Sequence, residues 1–117
     1  MTTVKEMRHE ANLPVLITDQ QGLITYVNDA FLVVFGWTEK EVIGQTLEVV
    51  IPSSFHDSHH LGFSRFAMTE RPTFLNHPQK LKAVRRDGSE IVAEHLITAE
   101  KHHGEWIFGA TLRPLSE

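Results

Sequence analysis

Eight histidines and no cysteine set the limits of the chemistry open to this 117-residue chain. Without cysteine there is no disulfide, no thiolate metal site, no cysteine nucleophile and no cofactor attached through sulfur. Three of the histidines fall in PSSFHDSHHLGFSRF, residues 52–66. On a helix, Phe55, His59, Gly62, Phe63 and Phe66 step by three or four residues and so share one face. His59 then stands among aromatic rings, with a glycine about one turn on. His56 lies at its flank and His60 points further away. A neutral imidazole is a good iron ligand. An apolar face suits a flat porphyrin, and Gly62 would let one approach closely. The same pattern also suits a half-buried histidine hydrogen-bonded within a core, and the residues alone leave both readings open.

Other groupings carry less. His56-x-x-His59-His60 has a spacing that binds zinc on a helix, but the only nearby carboxylate, Asp57, points elsewhere. His102 and His103 read as a solvent-facing turn. Ser89, Glu94 and His95 form no nucleophile–base pair at a telling spacing. No glycine-rich phosphate loop is present, and the chain is not expected to be an enzyme. The net charge of −4 argues against nucleic acid as a partner. Lys80, Lys82, Arg85 and Arg86 are a short alternating cluster, best read as a solvated strand face. No apolar run approaches the roughly 20 residues that cross a bilayer. The start, MTTVKEMRHEAN, carries Glu and His where an export signal is apolar. The fragment is therefore expected to be cytoplasmic, with no membrane segment.

These side chains need elements to position them. With 41% hydrophobic and 22% charged residues, the chain reads as one soluble globular domain. Residues 2–12 read as a short amphipathic helix, capped by Thr2 or Thr3, with Val4, Met7 and Ala11 near one face. Pro14 breaks it. Residues 14–19 and 23–27 are β-rich runs around Gln20-Gln21-Gly22, a hairpin. Asn28-Asp29 starts a helix that stops at Gly36. Thr38-Glu-Lys-Glu has the spacing of a capping box, and that turn closes at Gly44. A third short apolar segment, TLEVVI, ends at Pro52, and a helix over roughly 55–69 follows. Residues 79–86, 90–99 and 105–113 are three further β-like runs, joined at Asp87-Gly88 and at His102-His103-Gly104. Trp106, Phe108 and Ala110 share one strand face, as plain core or as a pocket floor. Two strands alone make no stable sheet. The first pair is therefore predicted to join the last three in a five-stranded antiparallel sheet, with helices on one face, an α+β arrangement that encloses a pocket.

This order, with these residues, resembles the PAS family over nearly the whole chain. The resemblance rests on ITDQQGLITYVNDAFLVVFGWTEKEVIGQ in the front half and the RRDGSE hairpin in the back half. The closing RPLSE matches the family's exit signature in part, with Pro114 where Asp is usual. The resemblance implies the PAS fold over 13–117, with 1–12 as an N-terminal flanking helix. It implies a sensory module of a bacterial-type signal-transduction protein. A homodimer is expected, with a kinase, cyclase or chemoreceptor output domain in the parent protein.

It also implies a site. In oxygen-sensing members that bind haem b, the proximal histidine sits on this helix, seven residues after a proline like Pro52. His59 meets that spacing. Those sensors contact bound oxygen with an arginine on the third strand. Gln79 stands at the matching position and offers an uncharged hydrogen bond, which suits a redox-sensing or differently stabilised haem. His77 stands where one haem-binding type offers a methionine, and would be the sixth ligand. The implied cofactor site is thus His59, Phe55, Gly62, Phe63, Phe66, His77, Gln79 and Trp106. The alternatives are a flavin held without a covalent bond, another small organic molecule, or an empty module used for dimerisation.

Overall fold

A computed structural model of the chain describes residues 3–52 and 78–115. Helix α1 spans Val4–Met7, strand β1 Val15–Thr18, strand β2 Ile24–Val27, helix α2 Asp29–Phe35 and helix α3 Glu39–Val42. A 3-10 turn follows at Leu47–Val50, and then strands β3 Gln79–Val84, β4 Glu90–His102 and β5 Glu105–Pro114. The strands form one antiparallel sheet in the order β2-β1-β5-β4-β3, so the first and last strands meet at its centre. This is the predicted five-stranded sheet. The expected helix over 55–69 lies outside the described residues.

Period-two alternation gives the sheet two working faces. On the inner face, Leu16, Ile24, Val27, Ala83, Ala110 and Leu112 form one core with Phe31 and Phe35 of α2, Val42 of α3 and Val50. On the outer face, Val15 and Ile17 of β1 pack against Val4 and Met7 of α1. The strand β1 is accordingly buried at every residue. Gly109 of β5 makes room for the helix. A Cβ there would lie 2.8 Å from Met7 Sδ and 3.3 Å from a Val4 methyl. The amide of Val4 donates to the Glu100 carboxylate at 2.7 Å, tying α1 to β4.

Asn28 explains why the front half folds as it does. It is buried, and its Oδ1 accepts from the amides of Val15 and of Phe31, the latter capping α2. Its Nδ2 donates to the carbonyls of Glu10 and Leu13. One side chain therefore joins the approach to β1, β1 itself and α2. At its other end α2 stops on Gly36, with φ 78°, as expected. There the Arg86 amide donates to the Phe35 carbonyl, and Arg85 Nε donates to that of Val34. The β3–β4 hairpin is thus clipped to α2. Helix α3 carries the expected Thr38–Glu41 capping box.

One local expectation changes. The first helix is Val4–Met7 rather than 2–12, and Ala11 is exposed. The Glu10 carboxylate accepts from the amides of Asn12 and Leu13, which turns the chain out of the helix and toward Asn28. The segment TLEVVI, assigned no element from sequence, closes at Leu47–Val50 as a 3-10 turn that buries Val50.

The ladder is uneven. Strand β1 reaches β5 only as far as Thr18↔Phe108, and β3 reaches β4 only as far as Gln79↔His95. The pairs Glu100↔Ile107, Lys101↔Trp106 and His102↔Glu105 continue beyond both. Among the described residues they form a two-stranded ribbon that ends in the turn at His103, whose φ is 51°, and Gly104.

Candidate functional site

The chemistry-bearing face is the inner one, and β4 is its spine. Ile97 pairs with Ala110 and Ile91 with Ala83, all of them part of or packed on the inner core. Alternation along β4 puts His95 on the same face as Ile91, Ala93 and Ile97. His95 is directly flanked by Gln79 of β3 and Leu112 of β5. Its side chain is enclosed, at 8% exposure. Its Nε2 is buried with no hydrogen-bond partner. Burial pushes the imidazole down to about 4, against a smaller opposite pull from the nearby Leu81 backbone. At neutral pH the ring is therefore uncharged, the form in which imidazole serves as a metal ligand or hydrogen-bond acceptor.

Thr18 is the second polar residue here. It sits opposite Phe108 at 1% exposure, and its hydroxyl has no partner. Unpartnered buried polar atoms cost free energy, and native structures retain few of them. Thr18 and His95 each bring one such atom to this apolar face.

The residues singled out in the sequence divide into two groups. Gln79 is half-buried on the inner face beside His95. Trp106 is half-buried on that face too, packed with Phe108 and Ile97, and the Lys101 ammonium lies 5.7 Å from its ring. Pairing of Gln79 with His95 and of Trp106 with Lys101 places the two about six residues apart along β4. That is roughly 20 Å at strand rise, so they occupy opposite ends of the face. His59, Phe55, Gly62, Phe63, Phe66 and His77 lie outside the described residues, as do His56 and His60 of the zinc-spaced trio. Among the described residues no three His, Cys, Asp or Glu side chains are grouped to hold a metal ion. His102 and His103 are exposed at their turn, as expected.

Weighed only beside Ser89 and Glu94, His95 gives no sequence signal of a site. The signal that finds it is alternation. In EIVAEHLIT the apolar residues Ile91, Ala93 and Ile97 recur at every second position, and His95 interrupts their face. An open groove lined by Val33, Trp37, Arg85, Arg86 and Pro114 lies elsewhere, at the end of α2. None of Gln79, His95 and Trp106 lines it.

Comparison with known proteins gives a consistent picture. A family model described as the PAS fold matches residues 3–109. The sensor protein FixL of Bradyrhizobium diazoefficiens is 27% identical over 116 residues, which cover 99% of this chain and 23% of that protein. The chain spans at most 23% of the length of the curated relatives it matches. Among solved structures, a PAS domain from Desulfitobacterium hafniense superposes with a TM-score of 0.71 at 18% identity, covering 92% of this chain and 97% of that one. A light-oxygen-voltage domain studied with a flavin analogue gives 0.72 at 20% identity, covering 97% of this chain and 84% of that one. These likenesses show the fold. Among the described residues no helix is long and apolar enough to cross a membrane.

Proposed function

Because this chain belongs to the PAS family, a family of sensory modules, we propose that it is the ligand-binding sensor of a larger signalling protein and that its ligand is haem b. The observation that carries the reading is the inner sheet face. It is apolar, and it buries an uncharged imidazole whose Nε2 has no protein partner. These residues fit a porphyrin, which needs apolar walls and nitrogen donors at the metal. Likeness to a sensor protein supports the sensory role.

In this reading His59 would hold the iron, and Phe55, Gly62, Phe63 and Phe66 would supply apolar contacts to the porphyrin. Gln79 would offer an uncharged hydrogen bond, His77 would be the sixth ligand, and Trp106 would line the pocket floor. Bound haem would supply an iron centre that responds to redox state or to small gases. The chain's own part is to exclude water and to convert occupancy into strain on β4 and β5. The outer sides of those strands carry Glu100 and Gly109, two of the contacts that seat α1. A change on the inner face would thus be felt at the flank, residues 1–12, which we treat as distinct from the domain over 13–117. The output domain, a kinase, cyclase or chemoreceptor, would come from the parent protein, and the module would work as a cytoplasmic homodimer.

The test is an absorption spectrum of the purified chain as isolated and after haem is added. The expected result is a Soret band that is lost or changed in His59→Ala. No Soret band after reconstitution sinks the haem reading. A second reading, a flavin held without a covalent bond, is favoured by the likeness to the light-oxygen-voltage domain. Mass spectrometry of the denatured protein would then release a flavin.

A further inference from the structure

We propose that the groove at the end of α2 is an interface between two copies of this chain. The two α2 helices cross antiparallel about Val33, and Asp29 of each copy meets Arg85 of the other. This rests on the homodimer of the reading above and not on the haem. Exposure, charge and symmetry carry it.

Val33 is 82% exposed, well above Leu81 at 43% and Ile43 at 38%. A lone exposed valine is ordinary, but this one lines a groove together with Trp37, Arg85 and Pro114. Gly36, also in the lining, carries no side chain to hold a second helix away. By contrast, Val4 and Met7 of α1 are already buried against Val15 and Ile17. That helix has no apolar residue left to offer a partner.

The chain carries a net charge of −4, yet the groove is lined by two guanidinium groups, Arg85 and Arg86, and one carboxylate, Asp87. Arg86 is neutralised by Glu41 at 2.5 Å. Asp87 accepts from the amide and the hydroxyl of Ser89. Arg85 has neutral hydrogen-bond partners. Its Nε donates to the Val34 carbonyl at 3.1 Å and its Nη1 to the Ser89 hydroxyl at 3.3 Å. Those bonds fix the guanidinium in place without neutralising it. A fitting occupant therefore brings a carboxylate and an apolar side chain.

A second copy brings both. Asp29 and Val33, four residues apart on α2, lie on one face and are both exposed. Val33 also stands four residues before Trp37. A two-fold axis through Val33 thus sets the Asp29 end of one helix against the Trp37 end of the other, where Arg85 is clipped to Val34. Two-fold interfaces need this self-complementarity, since each copy must accept what it offers. Each copy supplies the carboxylate that the other's groove lacks, and the two Val33 side chains meet on the axis. A helix of seven residues is only about 10 Å long, so the contact is small and the dimer is expected to be reversible.

Sedimentation equilibrium of the full chain over a range of concentrations is the test. The wild type is expected in a reversible monomer–dimer equilibrium. Val33→Asp should weaken the dimer about tenfold or more, because two apolar side chains leave the interface. Its circular dichroism should match the wild type, since Val33 is exposed in the single chain. Asp29→Arg and Arg85→Glu should each be monomeric alone, because like charges then meet at both contacts. Mixed in equal amounts, the two variants should form a heterodimer, because both contacts again pair opposite charges. A dimer unchanged in Val33→Asp and Asp29→Arg overturns the inference and leaves the homodimer standing. Folded single variants that stay monomeric when mixed overturn it as well. Should Arg85→Glu fail to fold, the results for Val33→Asp and Asp29→Arg decide alone. A wild type that is monomeric at every concentration overturns the homodimer and the inference together.

Discussion

At the scale of single residues, His95 has a measurable signature even without a ligand. Its folded-state pKa, about 4, lies below the ordinary value near 6.5. Between those two values the unfolded chain binds the proton and the folded chain does not. Stability therefore rises with pH across this window. The contribution is fully present above about pH 6.5 and is lost as the pH falls toward 4, with a span of roughly 3 kcal/mol. Urea unfolding of the purified chain at pH 7.5 and 4.5 tests this. The wild type should lose more stability than His95→Leu, by an amount of that order. Equal losses would mean that the imidazole is not held neutral in the fold. Asn28 is a different kind of residue. Its four hydrogen bonds are structural and were legible as a helix cap. Its role at the approach to β1 was not, because the carbonyls of Glu10 and Leu13 reach it only through the tertiary fold.

At the scale of elements, α1 and β5 depend on each other. Gly109→Val would place branched carbons against Met7 and Val4, with an overpacking cost of about 1–3 kcal/mol. The cost should fall by at least about 0.5 kcal/mol in a Met7→Ala background, since the two sites are in contact. Equal costs in the two backgrounds would mean that α1 does not sit on Gly109. The same elements show how far local sequence reaches. The hairpin turns, the stop at Gly36 and the capping box of α3 follow from short-range chemistry and were predicted in place. The length of α1 was not, because the apolar spacing of Val4, Met7 and Ala11 continues past the point where Glu10 redirects the chain. Likewise Leu47–Val50 has the composition of a strand, but its burial against the inner core selects a 3-10 turn.

At the scale of the whole molecule, the joining of the early strand pair to the last three in one sheet was legible from the need of two strands for partners, but the strand order was not. Register was not, since it is set by contacts across the chain such as Leu16↔Ala110. The site followed the same division. Alternation could have placed His95 on a face, but only the ladder puts it beside Gln79 and Leu112. One feature of that ladder sets a time scale. The ribbon of Glu100–His102 with Glu105–Ile107 has no third strand among the described residues, and such ribbons are weak alone. It should therefore open and reclose many times during each lifetime of the global fold. Native-state hydrogen exchange should find the ribbon amides within 101–106 exchanging well before those of Ala110 and Leu112. Uniform protection along β5 would refute this. Each opening carries Glu100 away from the Val4 amide, so α1 would loosen in step with the ribbon, and the two should exchange as one cooperative unit.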